Sequence, residues 1–346
     1  MQREDSINIL VTGATGFVGA DLTRELARQG CNVYAIVRDE TKFRAILGSD
    51  CANRVNVLVG DLLDRASVRN LTTQVQNLAN GLDVVVHTVG GGPLTSNRAL
   101  ASGIFDLNYK TTTNLTEILE SSEKLGSLRL FVYFSSLAAM GMPNSNGDLV
   151  RYDEASPCNP VLPYEQAKLE TETFLRGFAN KHRVRTAVLR FPQIYGGPND
   201  AFMQMVNMIR KGAFPVVLGK IGSLPLIHVR DAVNGTCAII RNPDAVRENF
   251  AVYLLSEGSY SYNRMVELVK KKFGRGGALK VPYPLLYLAI SMAEGVFKLL
   301  GKPEPLNRRR LVSLTKDRQV DSSQFVNTFQ FKFQENVDAF FTKLPS

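Results

Sequence analysis

Cysteine is scarce. The four present, Cys31, Cys51, Cys158 and Cys237, are scattered, with no CxxC spacing and no histidine pair beside them. That argues against a disulfide framework and against a metal site, and it suits a reducing compartment. Long apolar runs are missing too: none reaches the roughly 18 uninterrupted residues that a membrane span requires. The first residues are polar and lead straight into a strand-like run, so no secretory leader is expected, and the expected location is cytoplasmic. Runs of like charge are few. Of 41 lysines and arginines, only Lys270-Lys271-Lys272 and Arg308-Arg309-Arg310 cluster. The net charge of +9 therefore reads as a solvated surface that attracts a phosphorylated small molecule, and no nucleic-acid partner is expected.

What is present is an ordinary globular composition, 45% hydrophobic and 21% charged over 346 residues. Such a chain can build one large α/β unit or two domains. Its organising stretch is Ile7–Gly19. The apolar run Ile7, Ile9, Leu10, Val11 predicts a buried parallel strand, and Gly13-Ala14-Thr15-Gly16-Phe17-Val18-Gly19 follows. An amphipathic helix pattern then runs through Leu22, Leu26 and Ala27 to Gly30. Strand, glycine turn and helix N-terminus together make an anion site suited to a dinucleotide pyrophosphate.

The next strand is predicted at Asn32–Val37. Arg38-Asp39 stand at its end, where a side chain inspects the adenosine ribose. An arginine there accommodates a 2′-phosphate, so NADP is favoured over NAD, with Lys42 and Arg44 as added charge. A third strand, Val55–Val59, leads to Gly60-Asp61-Leu62. Asp61 suits the adenine amino group, or caps the following helix. Asp83–His87 predicts the fourth strand, with Thr88-Val89-Gly90-Gly91-Gly92 at its carboxyl end, and His87 reads as a packing residue. A long helix is predicted around Asn108, where asparagine is a poor helix former and hints at a hydrogen-bonding task. Strand five, Leu128–Phe134, delivers Ser135-Ser136.

Tyr164 and Lys168 lie four apart, on one helical face. A free phenol is a weak acid and base at neutral pH. A neighbouring ammonium stabilises the phenolate and brings the tyrosine into range for proton transfer. The hydroxyl of Ser136 is placed to hold the substrate oxygen, with its neighbour Ser135 a further candidate.

The set Gly13-x-x-Gly16-x-x-Gly19, Asp61, Asn108, Ser136, Tyr164-x-x-x-Lys168 and Arg190-Phe191-Pro192-x-Ile194-Tyr195-Gly196 resembles the extended short-chain dehydrogenase/reductases. These include nucleotide-sugar epimerases and dehydratases, dihydroflavonol-type reductases and 3β-hydroxysteroid dehydrogenases. The resemblance implies catalytic roles for Ser136, Tyr164, Lys168 and Asn108, the last positioning the lysine or a water. It implies cofactor contacts at Gly13, Thr15, Gly16, Phe17, Val18, Gly19, Arg38, Asp61, Leu62, Thr88, Tyr164, Lys168, Pro192 and Ile194, and a dimer formed through two long helices.

Three departures narrow the branch. Leu137-Ala138 replace the Asp-Glu pair of the dehydratases. Leu224 stands where nucleotide-sugar members place an arginine, although Arg230 is a possible substitute. Val37-Arg38-Asp39 resembles the NADP-using ketone reductases. The apolar segment Pro282–Leu300 resembles a helix of steroid-dehydrogenase-like members. It either shapes a greasy pocket, lies on a membrane as a peripheral contact, or packs as an ordinary helix with a Glu294–Lys298 pair on its exposed face.

The expected fold is a doubly wound, Rossmann-type parallel sheet with a smaller, mostly helical C-terminal substrate lobe. Residues 1–191 and 226–256 are assigned to the NADP-binding domain, and 192–225 and 257–346 to the lobe. Substrate-selecting loops are expected at 91–102, 139–153 and 198–218. The expected activity is an NADP(H)-dependent interconversion of a ketone and a secondary alcohol on a fairly apolar small molecule. The alternatives are a nucleotide-sugar 4-epimerase with tightly bound NAD, and a non-catalytic cofactor-binding regulator or assembly subunit.

Overall fold

The computed structural model describes residues 6–142, 148–197 and 200–345; parts of the 139–153 and 198–218 loops fall outside them. Strands β1 (Asn8–Thr12), β2 (Asn32–Val37), β3 (Val55–Val59), β4 (Val84–His87) and β5 (Leu130–Ser136) come first. They are followed by β6 (Leu149–Tyr152), β7 (Arg185–Phe191), β8 (Gln193–Tyr195), β9 (Phe214–Val217) and β10 (Ser223–His228). The last four are β11 (Phe250–Leu254), β12 (Gly258–Ser261), β13 (Ala278–Val281) and β14 (Asp317–Val320).

Seven strands form one sheet in the order β11-β7-β5-β4-β1-β2-β3. Every neighbouring pair in it is parallel. The order reverses between β1 and β4, and the crevice outside that reversal is where open α/β sheets bind ligands. The pleat explains why apolar runs were needed here. Ile9 and Val11 face one core with Leu22 and Leu26 of the Phe17–Arg28 helix. Leu10 between them faces the other, with Leu71, Ile118 and Leu175. Both faces are buried, so the strands are continuously apolar rather than alternating.

Strand β5 extends two residues further than expected, because Ser135 and Ser136 stay in register with Arg190 and Phe191 of β7. Of the stretch 226–256, only Phe250–Leu254 joins the large sheet. Leu226–His228 lie in β10, which pairs with β8 and β12 in a separate three-stranded sheet. Pro192, which lacks an N–H to donate, separates β7 from β8 and lets the chain leave the large sheet there. The C-terminal lobe thus carries small sheets as well as helices, including the pairs β13–β9 and β14–β6. Its own core gathers Tyr195, Phe202, Ile209, Leu226, Met265 and Phe341.

Two helices differ from expectation. The segment around Asn108 is not one α-helix: Ala101–Phe105 and Thr111–Ser121 flank a π-helical turn, Asp106–Lys110. The Tyr283–Leu299 helix buries only Leu286 and Ile290 fully. Its Glu294 does not pair with Lys298; it accepts from the backbone N–H and the guanidinium of Arg308.

Candidate active site

The glycine turn is shaped by contacts that exclude side chains. Gly13 has φ of 77°, and a Cβ there would sit 2.4 Å from Thr88 Oγ1. At Gly19 a Cβ would meet the Gly13 carbonyl oxygen at 2.2 Å. Thr88 fixes the turn from β4, its hydroxyl donating to the Thr12 carbonyl at 2.7 Å. The helix that follows is capped by Gly16 with no side-chain hydrogen bond, and its first turn holds no acid. Its N-terminal N–H groups therefore face outward with no carboxylate competing for them, which suits a pyrophosphate. Phe17, 40% exposed, leans over Gly197, where a Cβ would lie 2.6 Å from its ring; Thr15 and Val18 are half-buried between.

At the end of β2, Arg38 is exposed, and among the described residues nothing pairs with its guanidinium. Lys42 is exposed as well, but Arg44 is bound by Glu40. Asp61 does not cap the next helix; Asp64 does, while Asp61 accepts from the N–H of Leu63 at 2.9 Å. Leu62 is buried, and its carbonyl accepts from Asn114.

Asn108 is fully buried within the π turn. Its Oδ1 accepts from the Gly91 N–H at 3.0 Å, and its Nδ2 donates to the carbonyls of Gly91 at 2.8 Å and Ile104 at 2.7 Å. An amide that occupies the carbonyl four residues back disturbs the α-helical ladder, which accounts for the π turn. The residue thus holds the glycine loop after β4, and it makes no hydrogen bond to Lys168. The two meet across Gly90, where a Cβ would be 2.7 Å from Asn108 Oδ1 and 2.8 Å from Lys168 Nζ.

The Pro163–His182 helix begins with proline in its first turn, and Glu165 reaches back to the N–H groups of Leu162 and Val161. This start places Tyr164 beside the end of β5, where the Ser136 hydroxyl favours ionisation of its phenol. The Ser136 hydroxyl oxygen accepts from the Ala138 N–H at 3.1 Å. Ser135, the alternative, is turned away: its hydroxyl donates to Glu172. Lys168 is buried, and its ammonium donates to Tyr133 Oη at 3.1 Å and to the Phe134 carbonyl at 2.8 Å. It lies 6.0 Å from the centre of the Tyr164 ring. Burial pushes the Lys168 pKa down to about 7, with Glu172 pulling the other way. Burial also raises the Tyr164 phenol above its ordinary value, against the opposing pull of the Ser136 hydroxyl. In this arrangement desolvation outweighs the serine's effect on the phenol.

Three supports went unnoticed in the sequence. Tyr133 anchors the lysine. Glu172 and Arg190 form a buried ion pair at 2.6 Å behind Ser135. Thr12 and Thr112 bracket the ring of His87 at 2.6 and 3.0 Å. Glu172 was the readable one, since it continues the four-residue ladder Tyr164, Lys168, Glu172. Pro192, between β7 and β8, and Ile194, within β8, are half-buried, and Arg230 is taken by Glu335 at 3.1 Å. No cluster of three or more metal-ligating side chains occurs among the described residues.

A seven-stranded doubly wound sheet with an open glycine turn and a Ser-Tyr-Lys group at its carboxyl edge is the framework of an NAD(P)-dependent enzyme of the short-chain type. The chain belongs to the NAD dependent epimerase/dehydratase family, whose model matches residues 9–253. It is 24% identical over 328 residues to a sterol-4-alpha-carboxylate 3-dehydrogenase, decarboxylating, of Dictyostelium discoideum, covering 92% of this chain and 91% of that protein. It is 25% identical over 311 residues to a UDP-glucose 4-epimerase of Bacillus subtilis, covering 86% and 83%. Its fold matches a UDP-glucose 4-epimerase structure from Thermotoga maritima with a TM-score of 0.71 at 16% identity, over 97% of this chain and 96% of that one.

Proposed function

We propose that the protein is an NADP(H)-preferring oxidoreductase that interconverts a ketone and a secondary alcohol on an apolar, ring-containing small molecule. The observation that carries this reading is the meeting of three groups at the carboxyl end of β5: Tyr164 and Lys168 one helical turn apart, the ammonium 6.0 Å from the centre of the Tyr164 ring, and the Ser136 hydroxyl that favours ionisation of the phenol. Gly92 brings the loop after β4 against the same tyrosine, a Cβ there lying 3.6 Å from its ring. Gly13, Gly16, Gly19 and Thr88 would hold the pyrophosphate, and Arg38 the 2′-phosphate. When bound, the nicotinamide supplies or takes up the hydride. Ser136 orients the substrate oxygen, Tyr164 gives or removes its proton, and the Lys168 charge favours the phenolate that this transfer passes through.

The substrate class rests on what the site does not offer a sugar diphosphate. Leu224 is packed into the lobe core beside Tyr260, Arg230 is engaged elsewhere, and Leu137 is buried where an eliminating enzyme needs an acid. The name of the Dictyostelium relative supports a sterol-like alcohol. The Bacillus relative favours a second reading, 4-epimerisation of a nucleotide sugar on tightly held NAD. Thermal shift separates the two, since a ligand that binds only the native state raises its melting point. NADP should stabilise more than NAD, UDP-sugars should not stabilise, and NADPH should be consumed with cyclic ketones. Protein that purifies with stoichiometric NAD and is stabilised by UDP-glucose would establish the epimerase instead.

A further inference from the structure

The Tyr283–Leu299 helix covers the lobe with one side only. Leu286 and Ile290 are buried there, with Ala293 and Phe297 half-buried on the same side. A second apolar stripe faces solvent. Leu285, Leu288, Met292, Val296 and Leu299 follow one another at three- and four-residue spacings and are 61, 58, 67, 55 and 89% exposed. Leu300 prolongs the stripe, and exposed Leu218 is bonded through its N–H to the Val281 carbonyl, just before the helix. A continuous apolar stripe of this length marks a contact site rather than ordinary monomer surface.

The charges around it have one sign. Lys280, Lys298 and Lys302 are exposed, and none forms an ion pair among the described residues. The single acid of residues 278–302, Glu294, is covered by Arg308 at 2.8 Å. Tyr283 and Tyr287 stack at the helix start with ring centres 6.1 Å apart, amphipathic rings of the kind that sit at a membrane–water boundary. The Ser291 hydroxyl is satisfied within the helix by the Tyr287 carbonyl. No helix among the described residues is long and apolar enough to cross a membrane. An apolar stripe edged by lysines on a non-spanning helix is the pattern of an element that lies in the interface plane.

The geometry points to reversible docking of this face on an anionic lipid bilayer, with the stripe at the acyl boundary and the lysines against lipid phosphates. A second copy fits less well, because a twofold contact through the stripe sets the lysines against their own counterparts with no acid between them. The docking face also adjoins the substrate loop. Glu304, just past the helix, accepts from the Thr95 hydroxyl and the Ser96 N–H, in the loop that follows Gly92. Delivery of a lipid-dissolved substrate through this face rests on the oxidoreductase reading above; the docking itself does not.

Co-sedimentation with vesicles tests docking without any turnover. The full chain should pellet with phosphatidylcholine vesicles carrying about 30 mol% phosphatidylserine, and more weakly with phosphatidylcholine alone. Leu288→Gln/Met292→Gln/Val296→Gln, all at exposed positions, should weaken binding at least about tenfold while leaving the melting temperature in place. Lys298→Gln/Lys302→Gln should weaken it by about fivefold per lysine on anionic vesicles only. Wild-type protein that stays in the supernatant at every lipid concentration would overturn the proposal. So would a triple variant that binds as well as wild type, or a stripe-dependent dimer with no lipid binding.

Discussion

Asn108 grips the Gly91 peptide from both sides, accepting from its N–H and donating to its carbonyl with a single side-chain amide. That grip sets the loop on which both Lys168 and Tyr164 close. Asn108→Ala should cost about 1–3 kcal/mol of stability, because buried and half-buried partners lose their hydrogen bonds. It should also lower kcat more than it weakens cofactor binding. Asn108→Asp keeps the acceptor for the Gly91 N–H but sets a buried carboxylate against the Gly91 and Ile104 carbonyls, so it should be at least as destabilising as alanine. Urea unfolding and steady-state kinetics of the two variants check the order. An alanine variant with unaltered kcat would show that the loop does not need the grip.

Tyr164 and Ser136 act on one another at the end of β5 but have unequal tasks in the proposed chemistry. Tyr164→Phe removes the proposed proton carrier and should lower kcat by about 10²–10⁴-fold, the usual worth of a general acid–base group. Titration with NADPH should give nearly the same affinity as wild type. Ser136→Ala keeps the phenol and should lose less. Retained turnover in the phenylalanine variant would refute the proton-transfer role.

The parts of this site that were readable in the sequence are those set by local chemistry. Gly13, Gly16 and Gly19 are legible because a β-branched run stops at them and an amphipathic helix begins. Tyr164 and Lys168 are legible because a helix fixes their spacing. Strands β2 and β3 run as expected from their apolar residues alone. The rest depends on partners distant in the chain. Nothing near Asn108 announces that Gly91 will occupy its amide, so the π turn was invisible. Tyr133 looks like any strand aromatic until Lys168 reaches it from another element. The short strands of the lobe, such as Gln193–Tyr195, are too brief to show a period. The apolar Pro282–Leu300 segment was plain to see, but which of its faces meets the lobe is decided by the neighbours, not by its composition.

His87 gives the fold an acid-sensitive point. Its ring is fully buried between Thr12 and Thr112, and burial, helped by the Lys168 charge, pushes its pKa down from 6.5 to about 3. Between those values the unfolded chain binds a proton that the folded chain does not, so stability rises with pH and is lost on acidification from 6.5 toward 3. The contribution to the slope is at most about 1.4 kcal/mol per pH unit. His87→Gln, which does not titrate, should lose stability less steeply over this window. Parallel urea-unfolding series at several pH values measure the difference, and equal slopes would mean the ring is solvated or already charged.

Glu172 and Arg190 are both almost fully buried and joined at 2.6 Å, with the Ser135 hydroxyl on the same carboxylate. Two ions removed from water together are tolerable; one left alone is not. Glu172→Gln should therefore destabilise by about 3–5 kcal/mol, because the Arg190 guanidinium stays charged inside the protein with no counter-ion. Arg190→Met should cost a similar amount by stranding the carboxylate. The double variant Glu172→Gln/Arg190→Met should be more stable than either single one, since a neutral amide beside an apolar side chain leaves neither position holding a charge without its partner. Denaturant midpoints of the four proteins give the coupling directly. If the double variant were as unstable as the two single losses summed, the pair would be contributing through its shape and its bond to Ser135 rather than through mutual neutralisation.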